Sequence, residues 1–109
     1  MSARVYLVGD DEALDHLSEL CRHLPVFELA RVDDVPDPLP EQTIVVIGAR
    51  HPRHRDALIR AAMERGPLHL VLVPTLASGE HAGARALVTA AELVHLLVPE
   101  LDRARLAES

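Results

Sequence analysis

Two clusters of charged residues carry the groups in this chain that could do chemistry. Asp10, Asp11 and Glu12 follow one another directly, and clustered carboxylates are the donor set that a hard cation such as Mg²⁺ or Ca²⁺ selects. The same three residues stand where a helix is due to begin, so Asp10 or Asp11 serves equally well as its N-cap and the cluster as a counter to its dipole. Further on, Arg50-His51-Pro52-Arg53-His54-Arg55 is a basic turn that could receive an anion, face solvent, or neutralise the acidic cluster. In the last case Arg50 or Arg53 would compensate the like charges of Asp10 and Asp11. His51 and His54 have a metal-compatible spacing, but no Cys or further His stands near them, and no metal site is expected. Cys21 recurs with leucines at helical spacing and reads as a core residue, not as a nucleophile. Ser78-Gly79 reads as a helix cap; no GxGxxG or Walker pattern exists. No catalytic residue and no cofactor are expected.

The elements that must position these groups are alternating strands and helices. Ile44-Val45-Val46-Ile47 is a run of β-branched residues, as in a strand covered on both faces, and it predicts the central strand of a parallel sheet. Ligands of open α/β sheets bind just beyond the carboxyl ends of the strands, where the basic turn falls. Residues 4–9 predict a first strand and residues 12–23 a helix whose Leu14, Leu17, Cys21 and Leu24 form one buried stripe. Residues 26–32 predict an edge strand. Pro36, Pro38 and Pro40 make 33–41 an extended crossover where a helix would normally sit. A helix over 55–65 stopped by Gly66-Pro67, a strand over 68–74 and a helix over 80–91 follow. Proline is costly inside a helix and well placed in its first turn, so the tail is read as a fifth strand, 94–98, and a short helix from Pro99. The expectation is one domain spanning 1–109, an α/β fold with a doubly wound, five-stranded parallel sheet.

This pattern resembles the receiver domains of bacterial two-component response regulators, whose flavodoxin-like sheet has the order 2-1-3-4-5. Asp10 and Asp11 match the acidic pair that binds Mg²⁺ in receivers, Pro52 matches the proline after the phosphoacceptor, and Thr75 is similar to the hydroxyl residue ending the fourth strand. The acceptor position itself is Gly48. Val98 stands in place of the lysine that contacts the phosphoryl group, Pro99 matches the proline beside it, and His95 occupies the position of the aromatic switch. The second helix of the family is missing. The resemblance therefore implies a degenerate site without a nucleophile or a lysine, and this chain contains no lysine at all.

Composition narrows the function further. The formal charge is −6, and one Tyr and one Phe are the only aromatic residues, which speaks against nucleic acid, against an anionic membrane and against base stacking. The single cysteine and the lack of an apolar leader suit a cytoplasmic protein. The expected function is that of a pseudo-receiver, a signalling module that binds protein partners and is not an enzyme. The alternative is a sensor of a small molecule or anion held near Asp10, Asp11, Gly48, Arg50 and Thr75, with Arg53 and His54 as further contacts. By the resemblance, the partner face would lie on the last helix and strand, around His95, Leu101 and Arg105. A homodimer through that face is one expectation, a heteromeric contact the other.

Overall fold

The computed structural model describes residues 3–24, 27–40, 42–73 and 81–108, with side chains described as far as residue 97. The elements are β1 (Ala3–Val8), α1 (Glu12–Cys21), β2 (Phe27–Val32), β3 (Thr43–Ile47), α2 (Pro52–Arg65), β4 (His69–Leu72) and α3 (Ala82–Glu108). Four parallel strands pair in the order β2-β1-β3-β4.

The β-branched run of β3 is buried along its whole length, and its side chains divide between two cores. Ile44 and Val46 join Val5 and Leu7 of β1 beneath α1 and α3, with Leu14, Leu17, Cys21, Leu93 and Leu97. Val45 and Ile47 join Val8 on the opposite face, beneath Leu58 and Ala62 of α2. The chain leaves β1 toward one edge of the sheet and β3 toward the other, so right-handed crossovers place α1 and α2 on opposite faces. The point of reversal lies between β1 and β3, and the crevice of an open α/β sheet forms at such a point.

Helix ends follow local chemistry. Asp11 caps α1, its Oδ1 accepting from the Ala13 N–H at 2.9 Å, with Glu12 and Asp15 in the first turn. His51 caps α2 through Nδ1, which accepts from the Arg53 N–H at 3.1 Å, and Pro52 takes the first helical position. Gly66 ends α2 in the left-handed conformation. Helix α2 therefore begins three residues before the expected 55, and Arg53 and His54 belong to its first turn instead of a loop. The proline-rich crossover forms no helix over 33–40; Val35 is buried and Leu39 packs in the α2-side core, where a helix would otherwise lie.

The fifth strand expected over 94–98 does not form among the described residues. Residues 94–98 are helical, within an α3 of 27 residues that continues through Pro99. Ala82, Ala86, Thr89, Leu93 and Leu97 are buried at three- and four-residue spacing, and this stripe covers both α1 and the sheet. A five-residue strand at the sheet edge would bury far less. That gain outweighs the cost of about 3 kcal/mol for an interior proline. Among the described residues no helix is long and apolar enough to cross a membrane.

Candidate functional site

The carboxyl ends of β1 and β3 meet through two glycines. The Gly48 N–H donates to the Val8 carbonyl at 3.0 Å, and the Asp11 N–H donates to the Gly48 carbonyl at 3.1 Å. Gly9 has φ +121°, and a Cβ there would stand 2.0 Å from the Gly48 oxygen, so only glycine fits. Gly48 is crowded for a different reason. A Cβ at this position would lie 3.1 Å from Cβ of Asp11 and 3.2 Å from both Leu14 and Val73. A side chain fits there only if these neighbours give way by a few tenths of an ångström.

The acidic cluster diverges into three separate partnerships. Asp10 accepts from the Arg50 main-chain N–H at 2.9 Å, and this bond, joined by the charges of His54 and Arg50, holds its carboxyl below the usual carboxylate range. The His54 ring nitrogen lies 4.0 Å from the same carboxylate. Glu12 pairs with the Arg50 guanidinium at 2.9 Å. Asp11 turns inward. Its Oδ2 accepts from Arg85 of α3 at 2.9 Å, and both side chains are only 7% exposed. With Oδ1 on the first turn of α1 and Oδ2 on Arg85, one carboxylate ties two helices together across the tips of the strands. Among the described residues no three His, Cys, Asp or Glu side chains gather to hold a metal ion.

Arg50, named from the sequence as compensator, reaches Asp10 through its main chain and Glu12 through its side chain, not Asp11. Arg53 contributes its main-chain N–H to the α2 cap, and its side chain is exposed. Arg85 is the residue that sequence reasoning missed. Its signal was a lone cation inside the apolar run Ala-Gly-Ala-Arg-Ala-Leu-Val; it shares the buried side of α3 with Ala82 and Ala86, where it needs a carboxylate. From β2, Arg31 donates to the Gly9 carbonyl at 2.6 Å and lies 3.4 Å from Asp15, which fixes the end of β1.

Thr75 lies outside the described residues. Val98 and His95 stand on α3, not at the tip of a strand, so the positions inferred for the lysine and the aromatic switch do not hold; His95 is exposed. Leu101 and Arg105 fall on the same helix, beyond the described side chains. Burial raises the Cys21 thiol above its ordinary range and keeps it in the core. Comparisons with protein-family models, with curated proteins and with solved structures returned no match for this chain.

Proposed function

We propose that this chain is a receiver-like module that has lost phosphoryl transfer and works by binding a protein partner. Its strand order reproduces the first four positions of the receiver order 2-1-3-4-5, and its acidic pair and Gly48 meet at the point where the sheet reverses. One observation carries the reading: Asp11 is committed to Arg85 and to the cap of α1, while a side chain at Gly48 would crowd Asp11, Leu14 and Val73. Phosphoryl transfer to a receiver needs a nucleophilic carboxylate, a divalent ion and a cation facing the developing charge. Here an internal ion pair takes the place of all three, and the arrangement resembles a receiver site locked in one state. The role assigned is binding rather than catalysis. The ligand-sensing alternative would need Arg50 and His54 to face a pocket, but they face Glu12 and Asp10, so it has less support.

Amide spectra of the ¹⁵N-labelled chain test this reading. Neither acetyl phosphate nor Mg²⁺ with beryllofluoride is expected to move any resonance. Shifts confined to residues around Asp11, Gly48 and Arg85 would overturn it.

A further inference from the structure

The outer face of α3 is unsuited to water. The residues buried against α1 and the sheet mark one side of the helix, yet Ala84, Leu87, Val88, Ala91 and Val94 recur at helical spacing around the opposite side. All five are exposed, Leu87 by 59% and Val88 by 56%. Between residues 82 and 97 only Glu92 and His95 bring an ionisable group to that side, in a chain of which 26% is charged. A helix that is apolar on both sides is built to be covered on both.

We propose that a second copy of this chain provides the cover, the two α3 helices packing antiparallel about a two-fold axis close to Ala91. This inference rests on the reading of the chain as an interaction module. The stripe is its own complement: a small residue sits midway, with Leu87 and Val88 before it and Val94 after it. A two-fold axis at the small residue brings Val88 of one copy onto Val94 of the other and lets the backbones approach. Two copies each carrying −6 repel, so their contact must avoid carboxylates, and this face presents one. Length suits the purpose as well. A helix of 27 residues is about 40 Å long, which offers a contact strip of the order required to bury ~800 Å² per partner.

Light scattering on the full chain at tens of micromolar is expected to give twice the monomer mass. The double variant Leu87→Glu, Val94→Glu should be monomeric with an unchanged circular dichroism spectrum, since both side chains are exposed. Cysteine pairing tests the geometry without relying on that variant. On oxidation, Ala91→Cys should link to its own copy and Leu87→Cys alone should not, while a mixture of Val88→Cys and Val94→Cys should link. A monomeric native chain, a dimer indifferent to the two glutamates, or equal linking at 87 and 91 overturns the proposal. A monomer that also ignores beryllofluoride removes the dimer and leaves the pseudo-receiver reading standing. A localised beryllofluoride response removes the reading on which the dimer rests, whatever the mass.

Discussion

Replacing Arg85 by Met keeps much of the apolar stem and leaves the Asp11 carboxylate buried without its guanidinium. Removing one partner of a buried pair typically costs about 3–5 kcal/mol, because the remaining charge is stranded. Urea unfolding of Arg85→Met should show a loss of that order. The double variant Asp11→Asn, Arg85→Met keeps an N-cap acceptor and strands no charge, so it should recover most of the loss. Equal stability of the single and double variants would mean that the pair is not coupled. Gly48→Asp, which puts a carboxylate at the position proposed to match the acceptor, should lower stability by about 1–3 kcal/mol through overpacking and confer no phosphorylation; a chain of native stability would contradict the packing around Gly48. At Asp10 the linkage is with pH. Its folded pKa lies below the unfolded one, chiefly through the Arg50 N–H, so its contribution is present above about pH 4 and lost as acid protonates it. Asp10→Asn should flatten part of the acid limb of a stability-against-pH curve between about pH 5 and 2.

Among the elements, α3 separates what the sequence discloses from what it hides. The first four strands, the proline-rich crossover and the burial of Cys21 were legible, because a β-branched run, alternate prolines and a three-four spacing each act within a few residues. The tail was not. Val94 to Val98 reads locally as a strand and Pro99 as a break, but Leu93 and Leu97 extend a stripe begun at Ala82, and only packing against α1 reveals its value. The same distance hid Arg85, whose partner lies 74 residues away in sequence. Within α3 the missing N–H of Pro99 deprives the turn of one bond. Pro99→Ala should therefore raise the melting temperature, by an amount corresponding to at most about 3 kcal/mol; a lowered value would mean that the proline has been accommodated by a kink on which the packing depends.

For the whole molecule, the sheet divides into two faces that differ in how they are closed. The α2 face is completed by segments close in sequence, with Val35 and Leu39 of the crossover lying beside the helix. The other face depends on a helix that arrives last, and its closing contact is the buried pair between Asp11 and Arg85. That contact makes the chain divisible. A fragment of residues 1–73 would uncover the sides of α1 and β4 on which α3 packs and leave Asp11 unmatched, and it should stay largely unstructured. Adding a synthetic peptide of residues 81–108 should restore cooperative melting, and the same peptide with Arg85 replaced by Met should do so poorly. Such a pair would work as a reassembling two-part reporter whose joining is governed by one guanidinium; independent folding of the first part would show that the sheet needs no such key.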